Sequence, residues 1–341
     1  MVLEERLLAK IAVEFQPCPR QTHGQAAGLP AKRLLARGDG WSVLDVICKA
    51  GPHDRPFEEQ HSDVCIAIVV EGSFQYRSSA GRELMTPGSL LLGNAGQSFE
   101  CGHEHAVGDR CISFAYEARY FEGLATEAGM RSRSACFSSL RVPPVRGLSK
   151  LVARASAGLA EFSGLAPGRD QSAFTAGPEK SASNSPEHAS SSIAGSAEWE
   201  EIGIELASLA LEFANREPNR RNFPAAEARV TRVLRMIESR PDLDHRLDSL
   251  AREARLSRYH FLRVFQQLTG LTPHQYLLRA RLRRAAIHLM LEPARVLDIA
   301  LDSGFADVSN FNHAFHAEFG MNPRSFRRNA RLRAVATPSP R

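Results

Sequence analysis

Long apolar runs are missing from this sequence: no stretch reaches the roughly 18 consecutive apolar residues that a membrane-spanning helix requires. The opening segment, MVLEERLLAK, also lacks the apolar core and small-residue cleavage site of a secretory signal peptide. We therefore expect a cytoplasmic protein that makes no contact with a membrane.

Cysteine and lysine are unevenly distributed along the chain. All six cysteines precede residue 140, and a cytoplasmic location predicts reduced thiols rather than a disulfide framework. Residues 225–333 contain 19 arginines, no lysine and 11 acidic residues, a net charge of +8, whereas residues 1–224 carry −4. A basic block joined to a mildly acidic one is typical of a polyanion-binding module attached to a second domain.

Short strands precede helices in the sequence pattern. Residues 41–116 hold segments rich in β-branched and aromatic side chains, about ten residues apart and separated by Gly- and Pro-containing turns. The predicted strands are WSVLDVICK, VCIAIVV, SFQYR, SLLLG and CISFAY. This spacing favours a sandwich or barrel. Helical apolar spacing follows at 147–162 and 198–214. Between them, residues 163–197 are dominated by Ser, Ala, Gly and Pro, which predicts a flexible insert.

An internal repeat with a period of fifty residues occupies the C-terminal part. The copies are SRYHFLRVFQQLTGLTPHQY (257–276) and DVSNFNHAFHAEFGMNPRSF (307–326). Each copy begins with a helix-capping side chain, has phenylalanines four and eight residues later, and then a glycine and a proline suited to end one helix and open the next. A short helical segment and a tight turn precede each copy, at 247–254 and 296–303. Each unit is therefore a predicted helix-turn-helix.

The phenylalanine face of each capped helix should pack inward, which leaves the opposite face for the major groove of DNA. On the first helix the outward side chains are Arg258, Tyr259, Leu262, Arg263 and Gln266. On the second helix they are Ser309, Asn312, His313 and His316. A single helix pair of this kind often serves only to pack an α-helical protein. Two copies in register inside an arginine-rich block favour DNA recognition instead.

Residues 225–330 resemble the DNA-binding domain of the AraC/XylS family of bacterial regulators. The resemblance lies in SLAREARLSRYHFLRVFQQLTGLTPHQYLLRARLRRA and DIALDSGFADVSNFNHAFHAEFGMNPRSFRR. It implies two subdomains joined by a long helix near 273–291, with both recognition helices in successive major grooves on one DNA face. The base-reading positions that it implies are Tyr259, Leu262, Arg263, Ser309, Asn312 and His313. Family members usually have a polar residue in place of Leu262 and often arginine in place of His313. The DNA sequence that this protein recognises therefore cannot be deduced from the resemblance.

The predicted fold class is α+β multidomain: an N-terminal cupin-like β-barrel with covering helices and a C-terminal all-α bundle of two helix-turn-helix subdomains. The predicted parts are a cupin-like effector domain (1–145), a helical dimerisation or linker region containing the insert (146–224), the DNA-binding domain (225–333) and a disordered tail (334–341). The family resemblance implies a small effector and dimerisation through the linker helices. Mere coverage of the barrel is an equally good interpretation of those helices.

The segment CGHEHAVGDRC concentrates metal-ligating side chains. Its candidate ligands for a thiophilic ion such as zinc are Cys101, His103, His105 and Cys111. Alternatively, a cysteine beside histidines has a lowered pKa and reacts with oxidants. A third interpretation makes both cysteines small core residues beside a solvated hairpin loop. The histidine and glutamate spacing of metal-dependent cupins is absent, so we predict neither a catalytic site nor a cofactor.

These observations predict a sequence-specific transcription regulator, an effector-responsive activator rather than an enzyme. The expected partners are double-stranded DNA, RNA polymerase, a small-molecule effector and a second copy of the chain. Alternatives are a cupin enzyme or a thiol or metal sensor fused to a DNA-binding domain, and a ligand-independent architectural DNA binder. An alkyl-transfer repair regulator would need a four-cysteine zinc module near the N-terminus, where Cys18 stands alone.

Overall fold

The computed structural model contains a sheet-rich unit followed by a helical unit. It describes residues 30–52, 54, 58–103, 108–128, 136–162, 188–214 and 224–336. Within these ranges no helix is both long and apolar enough to cross a membrane. The combination of sheets and a separate C-terminal helical bundle agrees with the predicted α+β class.

The sheet-rich unit consists, in the described residues, of ten strands in two antiparallel sheets. The strands are β1 Ala31–Gly38, β2 Trp41–Cys48, β3 Glu58–Gln60, β4 Val64–Gly72, β5 Phe74–Ser78, β6 Gly81–Met85, β7 Leu90–Gly93, β8 Ser98–Gly102, β9 Asp109–Tyr116 and β10 Arg141–Val142. One sheet has the order β1-β2-β9-β4-β7-β10 and the other the order β3-β8-β5-β6.

Strand β4 lies at the centre of this unit and is buried on both faces. Val64, Ile66 and Ile68 point to one side, where they share a core with the covering helices. Cys65 and Val69 point to the other side and lie in a smaller core between the sheets. Because side chains alternate along a strand, covering both faces makes its sequence an uninterrupted apolar run.

The two sheets face each other across that smaller core. No strand pair among the described residues joins one sheet to the other by hydrogen bonds. The predicted closed cupin-like barrel is therefore not confirmed, and the described residues form two open sheets packed face to face. The edge strands β1 and β10 of one sheet and β3 and β6 of the other do not pair with each other.

In the described residues three α-helices accompany the sheet-rich unit: α1 Ala118–Glu127, α2 Ser149–Phe162 and α3 His188–Ala214. Helix α3 contacts the six-stranded sheet, since the Tyr116 hydroxyl donates a hydrogen bond of 2.7 Å to the Gly203 carbonyl. The predicted flexible insert is wrong for residues 188–197, because α3 already begins at His188. Between His188 and Ala214 the sequence contains no proline, the residue that most disfavours a helix interior. Residues 163–187 of the insert lie outside the described residues.

The helical unit follows the predicted order. Its helices are α4 Pro224–Ser239, α5 Leu247–Glu253, α6 Arg258–Thr269, α7 Pro273–Leu291, α8 Val296–Asp302, α9 Val308–Phe319 and α10 Pro323–Ala336. Helix α10 continues through residues 334–336, which were predicted to belong to a disordered tail. Residues 337–341 lie outside the described residues.

The caps of α6 and α9 repeat at the predicted positions. The side chains of Ser257 and Asp307 each accept a hydrogen bond from the amide three residues further on, at 3.4 and 2.7 Å. Gly270 and Gly320 end the two helices in the left-handed region, with φ of 80° and 72°. Such a conformation favours glycine, which has no Cβ.

The aromatic cores of the two subdomains repeat as well. The two phenylalanine rings of each recognition helix have centroids 5.4 Å apart in both copies. An aromatic ring from the following helix, Tyr276 or Phe326, meets the second phenylalanine edge-on at 5.7 or 5.3 Å. All four phenylalanines are fully buried, and each such side chain contributes about 1.5–3 kcal/mol when it leaves water. These rings fix which side of each helix faces outward.

Candidate nucleic-acid interface

Helix α6 presents its predicted recognition face outward. The inward side is held by Phe261, Val264 and Phe265, all buried. Arg258, Tyr259, Arg263 and Gln266 are exposed and Leu262 is half-buried, as the helical period of 3.6 residues requires. Tyr259 stands out with 76% of its surface accessible. Donors, acceptors and an apolar group are therefore available together on one side.

Helix α9 presents an equivalent face. Phe311, Phe315 and Phe319 hold it to the second subdomain and are buried. The four predicted side chains on the opposite side are exposed: Ser309, Asn312, His313 and His316. None of the nine predicted DNA-facing side chains is packed inside the bundle.

A cleft of about 780 Å³ separates α6 from the sheet-rich unit. Four outward side chains of α6 line one wall: Tyr259, Leu262, Arg263 and Gln266. The other wall includes Glu83, Phe213 and residues of the 139–145 segment. The recognition face of the first subdomain therefore lies beside the N-terminal unit.

Arg141 ties the two units together at this cleft. Its guanidinium donates to the carbonyl oxygens of Leu84 and Leu268, at 3.0 and 2.9 Å, and its Nε lies 3.2 Å from a carboxylate oxygen of Glu83. Burial lowers the pKa of Arg141, and the carboxylate of Glu83 opposes that shift. Leu268 belongs to α6, so one side chain links the recognition helix to two strands of the sheet-rich unit.

A second polar junction holds the connecting helix α7. Arg279 on α7 donates a 2.6 Å hydrogen bond to the Pro144 carbonyl and pairs with Glu318 of α9 at 3.2 Å. The Ser149 hydroxyl, at the start of α2, also donates to the Glu318 carboxylate. Both recognition helices are therefore connected to residues of the N-terminal unit.

The predicted metal ligands are grouped differently in the structure. His103 lies with Cys48 and Asp109, and one ligand atom from each of the three lies within 4.8 Å of the other two. The His103 Nε2 is 2.5 Å from a carboxylate oxygen of Asp109. Burial opposes a charge on His103, but hydrogen bonds with Asp109 and Cys48 outweigh it and raise its pKa to about 9. His105 lies outside the described residues.

Cys101 and Cys111 line the core between the sheets. Cys111 Sγ lies 3.6 Å from the second carboxylate oxygen of Asp109. Burial raises the pKa of both thiols well above the usual value, with the charge of Asp109 as the next cause. The reactive-thiol alternative requires a shift in the opposite direction.

Sequence reasoning missed Cys48, Asp109 and Arg141 as members of these sites. Cys48 is 55 residues before His103 in the chain, and only the pairing of β2 with β9 brings it next to Asp109. Asp109 lies inside the CGHEHAVGDRC segment, six residues after His103. That nearby carboxylate was the one signal that could have identified it as a ligand. Nothing local marks Arg141, because its partners, two carbonyl groups and one carboxylate, belong to distant elements.

Known proteins resemble the helical unit. Residues 250–329 match the sequence profile of a family described as a helix-turn-helix domain. The crystal structure of the DNA-binding domain of AdpA in complex with a target DNA is 26% identical, with a TM-score of 0.31, and the alignment covers 31% of this chain and 96% of that one.

Two curated relatives extend this likeness. Over 106 residues the chain is 36% identical to the HTH-type transcriptional activator RhaS of Shigella boydii, which covers 31% of this chain and 38% of RhaS. Over 97 residues it is 35% identical to the Transposon Tn10 TetD protein of Escherichia coli, which covers 28% of this chain and 70% of TetD. The chain belongs to the AraC family of helix-turn-helix transcription regulators. It spans little more than a third of the length of the first relatives that it matches, at 37%, 34% and 38%.

Proposed function

We propose that this chain is a sequence-specific DNA-binding transcription regulator, an effector-responsive activator that reads two successive major grooves with α6 and α9. The observation that carries the proposal is the pair of capped helices, fifty residues apart, each with a buried aromatic face and an exposed polar face. An α-helix fits the major groove, where every base pair displays its own pattern of donors and acceptors.

Each recognition helix supplies side chains suited to base edges. Arg263 can donate two hydrogen bonds to guanine, and Asn312 can bind adenine through its amide. Leu262 can contact a thymine methyl group, which gives the departure from the usual family pattern a physical role. Arg258, Tyr259, Gln266, Ser309, His313 and His316 complete the proposed interface.

A binding titration at several salt concentrations tests the DNA-reading role. The full chain is titrated with a duplex selected from a randomised pool, and affinity should fall steeply with salt because arginine–phosphate contacts release counterions. Arg263→Ala should weaken binding by about 1–3 kcal/mol and relax the preference at one base position.

Arg235→Ala is the matched control for this titration, since it removes the same charge from an exposed position on α4. It should leave the base preference unchanged. If Arg263→Ala bound the selected duplex as tightly as the wild type, or relaxed no base position, its assigned role would be wrong.

The cleft beside α6 supports control by an effector. Its volume of about 780 Å³ falls within the roughly 300–1,000 Å³ of small-molecule sites. A DNA duplex does not fit in such a space, so α6 can enter a groove only after the 139–145 segment moves away. A small molecule that binds one arrangement of the two units better than the other shifts the balance between them.

Further partners follow from family membership. We propose that the chain acts in the cytoplasm as a homodimer through α2 and α3, and that it activates transcription by contacting RNA polymerase. The small-molecule effector would occupy the N-terminal unit, which we propose to be cupin-like, or its boundary with α6. No enzymatic step is part of this function.

A further inference from the structure

We infer that Cys48, His103 and Asp109 form a zinc site inside the sheet-rich unit, through one thiolate, one imidazole nitrogen and one carboxylate oxygen. The site is separate from the recognition helices and does not depend on the proposed reading of DNA. It replaces the ligand set suggested by the CGHEHAVGDRC segment and retains only His103 from it.

The backbone brings these three residues together at the ends of three strands. Cys48 is the last residue of β2 and Asp109 the first residue of β9, and the two are directly paired across the strands. His103 follows the end of β8 in the opposite sheet. On the other side of Asp109 the paired residue is Gly72, where an added Cβ would lie 2.9 Å from the Asp109 Cβ. The neighbouring strand therefore leaves room for the Asp109 side chain.

The donor set matches zinc. Zinc accepts thiolate, imidazole and carboxylate ligands at about 2.0–2.3 Å, so ligand atoms within 4.8 Å of one another can close around a single ion. Magnesium and calcium prefer oxygen ligands alone, and the thiol of Cys48 disfavours them. Three protein ligands leave the fourth tetrahedral position for water or another ligand.

Burial and charge balance support the same assignment. Cys48 and His103 are 8% and 5% exposed, and the Asp109 side chain is 7% exposed. Zinc would displace the thiol proton of Cys48 and the proton shared by His103 and Asp109, and both would pass to solvent. The dication, the thiolate and the carboxylate then sum to zero charge, which a buried site tolerates far better than an isolated ion.

Cys111 adds a supporting contact. Its Sγ lies 3.6 Å from the Asp109 oxygen that is not bonded to His103. A thiol at that place can hold the carboxylate in orientation while the other oxygen binds the ion, as outer contacts of metal ligands commonly do. We assign Cys111 as a positioning residue rather than a ligand.

The test uses the purified full chain, stripped of metal by a chelator and titrated with zinc against a chromophoric competitor. One tightly bound zinc per chain is expected, together with a higher melting temperature because the ion binds the folded state. Cobalt in place of zinc should produce a thiolate-to-metal charge-transfer band, which reports directly on the Cys48 ligand.

Two variants and one control locate the ion. Cys48→Ser and Asp109→Asn should each raise the zinc dissociation constant roughly tenfold or more, and Cys48→Ser should abolish the charge-transfer band. Cys65→Ser removes another buried thiol of the inter-sheet core and should leave both readouts unchanged. Asp109→Asn keeps the shape of the side chain, so it remains informative if Cys48→Ser fails to fold.

Several results would overturn the site. They are the absence of tight zinc binding by the wild type, wild-type zinc affinity in Cys48→Ser and Asp109→Asn, or a loss of affinity in Cys65→Ser as large as theirs. A parallel DNA titration of the metal-free chain distinguishes failure of the zinc-site proposal from failure of the proposed DNA-binding function. Normal DNA binding without zinc binding would reject the zinc site alone.

Discussion

Arg141 is the single side chain whose contacts best explain how the sheet-rich unit is held against the first recognition helix. Its buried guanidinium bridges carbonyl groups of Leu84 and Leu268 and the carboxylate of Glu83. Removing it leaves the Glu83 carboxylate without this partner and deprives the Leu268 carbonyl of its donor. The packed arrangement of the two units should lose stability relative to the separated one.

Arg141→Ala should therefore increase the affinity of the full chain for its selected duplex. We expect a gain of roughly tenfold, a coupling of about 1.4 kcal/mol between the unit contact and DNA binding. The measurement is an equilibrium titration at fixed salt.

Arg119→Ala serves as the control for Arg141→Ala, because it removes the same charge from an exposed position on α1. It should weaken binding slightly or leave it unchanged. An affinity of Arg141→Ala equal to or below that of the control would show that the packed arrangement does not restrain α6.

At the scale of elements, the two recognition helices end in glycines of the same conformation but in different surroundings. An added Cβ at Gly320 would meet nothing within 4 Å, whereas at Gly270 it would lie 2.7 Å from the Cβ of Pro143. The first helix end is therefore packed against the 139–145 segment and the second is not. The comparison isolates the contribution of that contact.

Gly320→Ala should lower the free energy of unfolding by about 1 kcal/mol, the cost of a left-handed backbone at a residue with a side chain. Gly270→Ala should lower it further, because the Cβ also displaces Pro143. Urea unfolding followed by circular dichroism measures both losses. Equal losses of unfolding free energy in the two variants would show that displacing the 139–145 segment costs no stability.

The helical elements were the most predictable part of the fold. Caps, glycines and prolines are local signals, and they placed α5 to α9 within about a residue of their observed bounds. Strands β2, β4, β5, β7 and β9 were also found from their apolar runs. Strands β1, β3, β6, β8 and β10 were missed, because each of them contains charged residues that interrupt its apolar pattern.

At the scale of the whole molecule, the sequence predicted which side of each recognition helix faces outward. It did not predict which distant elements lie beside that side. The outward side chains of α6 and α9 follow from helical periodicity once the phenylalanines are inside. The cleft beside α6, and the meeting of Cys48 with Asp109, depend on how distant elements pack. No pattern of residues within one segment encodes either contact.

The arrangement of the two units gives the molecule an asymmetry that its repeat lacks. Most of the outward face of α6 lines the cleft, whereas the four outward side chains of α9 are exposed and do not line it. In the function that we propose, DNA reading by both helices therefore requires the two units to separate. The second helix alone could make contact before that separation.

The central claim is that α6 and α9 each read one DNA element. Its most direct test is the selection of binding sites from a randomised duplex pool. The wild type, Arg263→Ala and Asn312→Ala are compared in this selection. The wild type should select two short elements about ten base pairs apart, one helical turn of DNA. Arg263→Ala should lose base preference in one element only, and Asn312→Ala in the other only. The account would be contradicted if both variants kept the wild-type base preference, or if each variant lost preference in both elements. Either result would show that α6 and α9 do not each read one element.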